Sequence, residues 1–257
     1  MILHSRILGK GRPLIILHGL FGMLDNWQSL GKKFAKYFEV HLIDQRNHGK
    51  SFHHNHCSFE IMAEDLKIYI EHHNLRNVRI IGHSMGGKVA MFYSVKNQKN
   101  VDKLIVVDIA PKKYSINKAS HVNILDVITD LKTIISRKDT EIQLKKFIKE
   151  EGVRQFLLKN LYWKSPTKLA WRCNFNCIKK NLDNFYKGLK RDHLFSKETL
   201  FVKGEKSNYI LKNDLNLIKH HFPLAQIHSI AKAGHWVHAE NPIDFYKETM
   251  SFLCNVD

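Results

Sequence analysis

A serine framed by glycines, Gly82-His83-Ser84-Met85-Gly86, joins the apolar run Val78-Arg79-Ile80-Ile81 to a stretch rich in helix formers, Lys88 to Tyr93, and few folds accommodate such a junction. The apolar run reads as a buried strand, and the stretch after it reads as a helix packed on that strand. Glycine at 82 and 86 is what a sharp strand-to-helix turn needs, because the turn holds its central residue at positive φ and crowds the backbone around it. Such a turn lifts the Ser84 hydroxyl above the sheet. It also sets the Met85 N–H at a helix N-terminus, facing any negative charge that develops there.

The rest of the chain repeats this alternation. Ile2 to Leu8 is an expected N-terminal strand, and Leu14 to Leu17, Val40 to Ile43, Leu104 to Val107, Leu200 to Val202 and Gln226 to Ile230 are runs suited to doubly covered strands. Helical periods occupy Asp25 to Lys36, a segment capped by Ser58 that reaches about His73, and a last one that starts at Asn241-Pro242 and continues to Leu253. This predicts an α/β fold with a mostly parallel central sheet and helices on both faces. From Lys112 to about Glu198 the alternation stops and the sequence is polar and helical in period. The expected organisation is a core of residues 1–111 and 197–257 with a helical cap inserted at 112–196, which suits a chain of 257 residues.

Chemistry-bearing residues fall on the loops that follow strands, where open α/β sheets place their ligand contacts. His18-Gly19-Leu20-Phe21-Gly22 follows the Leu14 run, Asp108 ends the Leu104 run, and His235 lies after the last strand. Asp44 and Arg46, after Val40 to Ile43, are expected to brace the nucleophile strand. A serine hydroxyl is a weak nucleophile until a neutral imidazole takes its proton, and a carboxylate fixes the tautomer of that imidazole. Ser84, His235 and Asp108 supply the three groups in the order nucleophile, acid, histidine, the order of an α/β-hydrolase. Leu20 and Met85 would donate the backbone N–H pair of an oxyanion hole. His53, His54, His56 and Cys57 lack a second ligand group at metal spacing and read as a solvated loop, so no metal and no cofactor is expected.

Five motifs together carry a resemblance. They are Leu17 to Gly22, Asp44 to Ser51, Gly82 to Lys88, Val107 to Pro111 and Gly234 to Glu240, and with them the chain resembles the bacterial YbfF-type esterases, α/β-hydrolases related to the animal abhydrolase-domain-11 proteins. The match is weakest in the cap. It implies hydrolysis of carboxylic esters or thioesters through an acyl-enzyme, with short acyl esters and acyl-CoA-like molecules as substrates. Where many hydrolases carry the acid, after Leu200-Phe201-Val202, this chain has Gly204-Glu205-Lys206-Ser207-Asn208-Tyr209. The resemblance moves the acid to Asp108, with Glu205 as the alternative. Trp163, Trp171 and Arg172 in the cap, with Trp236 and His238 beside the base, are candidate pocket walls, and Arg172 is the candidate partner for a substrate anion. Carbon-carbon bond hydrolysis, perhydrolysis and a non-catalytic binding module remain as alternatives on the same scaffold.

The formal charge of +17 raises nucleic acid or an anionic surface as partners. The lysines are spread through every segment alongside abundant Asn and Ile, so compositional drift explains them and no specific nucleic-acid partner is expected. Cys57, Cys173, Cys177 and Cys254 form no Cys-x-x-Cys pair, the first residues lack a signal-peptide core, and no apolar run is long enough to span a membrane. The expectation is a soluble cytoplasmic protein acting on a small acyl ester or thioester.

Overall fold

In the computed structural model, which describes residues 1–115, 120–131, 134 and 136–254, the apolar runs become strands. They are β1 (Ser5–Leu8), β2 (Arg12–Leu17), β3 (Phe38–Ile43), β4 (Val78–His83) and β5 (Val101–Val107). A separate hairpin of β6 (Leu161–Ser165) and β7 (Lys168–Trp171) intervenes before β8 (Thr199–Gly204) and β9 (Ala225–Ile230). The central sheet has the order β1-β3-β2-β4-β5-β8-β9, with β1 antiparallel to β3 and every other pair parallel.

Alternate residues of each strand enter two different cores. Ile15, Ile80, Leu104, Val106 and Phe201 face one side of the sheet, and Leu14, Ile16, Ile81, Ile105 and Val202 face the other. Helices α1 (Gln28–Phe34), α2 (Phe59–His72) and α3 (Met85–Lys96) cover the sheet, α1 on the second side and the other two on the first. Between β5 and β8 lie α4 (Ser120–Asp130), α5 (Arg137–Lys145), α6 (Glu151–Leu158) and α7 (Phe175–Lys180), and after β8 come α8 (Leu215–His221), the single turn α9 (Val237–Glu240) and α10 (Pro242–Cys254). Because both faces are covered, the strands need no polar face, and all six residues of β4 are buried.

The register places the site. Leu17 pairs with Gly82, and His83 pairs with Val107, so His18, Ser84 and Asp108 leave the sheet at one edge. Gly204 pairs with Ile230, which brings the loop toward His235 to the same edge.

Two expectations change. The segment after residue 112 is not helical throughout, because Leu161 pairs with Trp171 and Tyr162 with Ala170 in the β6–β7 hairpin. Its aromatic residues are good strand formers packed around a Pro166-Thr167 turn, a signal hidden among charged neighbours. The Asp25 to Lys36 helix opens as a 3₁₀ turn, Leu24–Trp27, before α1. Within the expected cap, residues 116–119, 132, 133 and 135 lie outside the described residues. Among the described residues no helix is long and apolar enough to cross a membrane.

Candidate active site

Ser84 sits at φ 52° and ψ −115°, a strained conformation between β4 and α3. Its N–H donates to Val107 O at 2.9 Å and its carbonyl accepts from Lys88 N at 3.0 Å, so the turn is tied to β5 and to the helix. A Cβ on Gly82 would lie 2.4 Å from Gly86 O, and one on Gly86 would lie 2.5 Å from Leu17 O. Both positions exclude any side chain.

Ser84 Oγ donates to His235 Nε2 at 3.0 Å, and His235 Nδ1–H donates to Asp108 Oδ2 at 2.8 Å. Asp108 is fully buried at positive φ, 49°, and its Oδ1 accepts Gly204 N–H at 3.1 Å. The Ser207 hydroxyl donates to the same Oδ2 that receives His235. The serine at the usual acid position therefore serves the carboxylate that lies across from it. Glu205 turns away, and its Oε2 accepts Lys232 N–H at 2.9 Å. Tyr209 stacks on the His235 ring with centroids 3.8 Å apart and planes at 17°.

The loop carrying His235 is tied from both ends. Glu240 accepts Gly234 N–H at 2.7 Å and Trp236 N–H at 3.2 Å, and His83 Nε2–H donates to His235 O at 2.9 Å. Burial, with His238 and His235 nearby, holds the His83 ring well below the ordinary histidine range, so it is neutral and keeps its proton on Nε2.

Two further neutral histidines shape the first loop. Gln45 N–H donates to His18 Nε2 at 3.1 Å, leaving His18 Nδ1–H to donate to Gly19 O at 2.8 Å. Phe21 N–H donates to His48 Nε2 at 3.2 Å, and His48 Nδ1–H donates to Arg46 O at 2.9 Å. Burial pushes His18 down to about 4 and His48 down to about 3, the latter helped by His18. An imidazolium at either position would lose its acceptor role. Among the described residues the N–H groups of Leu20 and Met85 donate to no protein acceptor, which leaves them available beside Ser84.

A profile of the alpha/beta hydrolase fold matches residues 12–242. The chain belongs to the alpha/beta hydrolase family. This hydrolase is 36% identical over 252 residues to the sn-1-specific diacylglycerol lipase ABHD11 of Danio rerio, covering 95% of this chain and 79% of that one. It is 32% identical over 236 residues to the esterase YbfF of Escherichia coli, covering 90% and 88%. A solved structure of a marine microorganism esterase superposes with a TM-score of 0.95 at 44% identity, covering 98% and 99%. The likeness to YbfF-type esterases expected from the motifs therefore holds.

Two cavities of the hydrolase meet at Ser84, Leu20 and Tyr209. One, of about 330 Å³, runs between Trp27, Trp236 and His238 of the core and Ile124, Val153 and Phe156 of the insertion. Trp236 packs on Phe156 at 5.5 Å, and His238 stacks on Trp27 at 4.1 Å with burial pushing its pKa down to about 3. The other, of about 520 Å³, lies beside Met85, Lys88, Tyr114, Phe185 and Tyr186.

The structure does not bring all the expected residues here. Trp171 and Arg172 line neither cavity at Ser84: Trp171 meets Phe175 edge-on at 5.3 Å, and the Arg172 guanidinium lies 4.6 Å over the Tyr162 ring. Trp171 closes β7 and Arg172 follows it, and neither reaches the cavities beside Ser84. Trp163 is 58% exposed. Asp44 and Arg46 do not brace the nucleophile strand either. Asp44 accepts Leu24 N–H at 2.7 Å and Lys50 N–H at 2.8 Å, while Arg46 pairs with Asp65 of α2. His53 Nε2–H donates to Arg172 O at 2.9 Å, and among the described residues no cluster of His, Cys, Asp or Glu is arranged to hold a metal. Sequence reasoning passed over His83, Tyr209 and the bracing role of Glu240. Glu240 alone had a local signal, six residues from Gly234 at the end of the turn α9.

Proposed function

We propose that this hydrolase cleaves carboxylic esters through an acyl-enzyme on Ser84, with thioesters as a further substrate class. The observation that carries the reading is the continuous series Ser84 Oγ, His235 and Asp108, at 3.0 and 2.8 Å, at the meeting point of two cavities. In the first step Ser84 Oγ attacks the carbonyl carbon and His235 Nε2 takes its proton. Asp108, aligned by Gly204 and Ser207, offsets the positive charge on the ring. The Leu20 and Met85 N–H groups receive the oxyanion. His235 then hands the proton to the leaving alcohol or thiol, and water, activated by the same ring, releases the acid and frees Ser84. The cavities lie within or near the size range of small-molecule sites, one for the acyl group and one for the leaving group.

The relatives named esterase and lipase support ester hydrolysis, and Trp236 and His238 are the proposed pocket-wall residues. Carbon-carbon bond hydrolysis and perhydrolysis would draw on the same nucleophile, base and N–H donors, so it is the relatives named lipase and esterase that favour ester hydrolysis over them. The four unpaired cysteines, three of them buried, support a reducing cytoplasmic setting. The test is a chain-length series of p-nitrophenyl and CoA esters, together with fluorophosphonate labelling. The expected result is turnover that depends on acyl length and a label on Ser84. An unlabelled Ser84 with no turnover of any ester would favour the binding module.

A further inference from the structure

Lys88 lies one helical turn beyond Ser84 on α3, and only 1% of it is exposed. Its Nζ donates to two backbone carbonyls, Lys112 O at 2.5 Å and Lys187 O at 3.1 Å. Those carbonyls belong to the two connectors by which the chain leaves the core for the insertion and returns from it. The connectors also hold each other, through Leu189 N–H to Pro111 O and Tyr114 N–H to Tyr186 O, both at 2.8 Å. At their crossing a Cβ on Gly188 would lie 2.6 Å from Lys113 N and 2.7 Å from Lys112 C.

Lys88 has no carboxylate within ion-pair distance among the described residues, and the nearby Asp214 pairs with Lys112 at 2.6 Å. Burial, with Lys112 adding to it, brings the Lys88 pKa down to about 7. An apolar side chain would fill such a space at lower cost, so the ammonium is there for the carbonyls it holds. The junction also leads to the site. Tyr114, whose ring lies 5.2 Å from Lys88 Nζ, donates its hydroxyl to Tyr209 O at 2.7 Å, and Tyr209 stacks on His235.

We propose that Lys88 is a positioning residue that pins both connectors of the insertion to the nucleophile helix and so sets how the insertion sits over Ser84. The kinetic part rests on the ester-hydrolase reading; the pin itself does not. The test uses the full chain as wild type, Lys88→Met and Gly188→Ala, the last prying the same junction apart from its other side. Amide hydrogen exchange at Tyr114 and Leu189 is expected to quicken at least tenfold in each variant, while β4 and α2 keep their protection. The KM for p-nitrophenyl octanoate is expected to rise at least tenfold more than the KM for p-nitrophenyl acetate, since the longer acyl group extends further along a cavity walled by the insertion. Unchanged exchange at Tyr114 and Leu189 overturns the proposal, and so does an equal loss on both esters. If Lys88→Met does not fold, Gly188→Ala answers with the same two readouts. If wild type turns over neither ester, the ester reading fails and the exchange data still decide the pin.

Discussion

Asp108 receives three donors, Gly204 N–H, the Ser207 hydroxyl and His235 Nδ1–H, and its value to the site comes from being fully buried and oriented rather than from being close. Asp108→Asn keeps the shape and removes the charge that favours the imidazolium, so kcat should fall by about 10²- to 10⁴-fold with little change in KM. Ser207→Ala removes one charge-assisted hydrogen bond, worth about 1.5–3 kcal/mol, and should cost about 10- to 150-fold in kcat. Glu205→Gln should be nearly silent, because Glu205 bonds the Lys232 backbone instead. Steady-state kinetics on one ester separates these three outcomes, and a silent Asp108→Asn would remove Asp108 from the proposed triad. Ser84→Ala should lose about 10⁴- to 10⁶-fold in turnover and keep its melting temperature, since the strain belongs to the backbone.

The elbow shows how an element can depend on atoms that are absent. In Gly82→Ala the new methyl would have to displace the Gly86 carbonyl, which is backbone of the first turn of α3 and cannot swing aside like a flexible side chain. A loss of about 3 kcal/mol or more is expected, seen as a melting temperature lower by about 6–12 °C. A variant that melts with wild type would mean that β4 and α3 can separate without penalty. α2 illustrates the opposite case, a helix specified locally. Ser58 Oγ accepts Ile61 N–H at 3.3 Å at its start, and Met62, Leu66, Tyr69 and Ile70 bury one face.

At the scale of the whole molecule, the buried histidines around the site give the fold a common pH dependence. His18, His48, His83 and His238 are all held below the ordinary value of 6.5, chiefly by burial. Below about pH 6.5 the unfolded chain binds protons that these native rings refuse, so stability is full above that pH and falls as the pH drops toward the native values. Each ring withdraws about 1.4 kcal/mol per pH unit in that window. The urea midpoint should therefore fall continuously between pH 6.5 and 5. A midpoint that stays level there would show that these rings take up protons while folded. The same rings serve the site: His18 and His48 hold the loop of Leu20, and His83 holds the carbonyl of His235.

Within the sequence, period and local crowding were enough to specify the strands of the central sheet, the glycine-framed serine and the order of the loops. A continuous apolar run has few alternatives to a doubly covered strand, and Gly82 and Gly86 state their own steric need. The register of those strands then delivered His18, Ser84 and Asp108 to one edge, as their positions after the runs implied. The partners of those groups were decided only by the tertiary structure, because they meet across separations that no local pattern records. Ser207 reaches Asp108 over 99 residues, and Lys88 reaches Lys187 over 99 as well. The hairpin that ends at Trp171, with Arg172 just after it, is decided at the same level. A short alternating segment among charged residues is ambiguous by itself, and pairing across the Pro166-Thr167 turn settles both its form and the direction of its side chains.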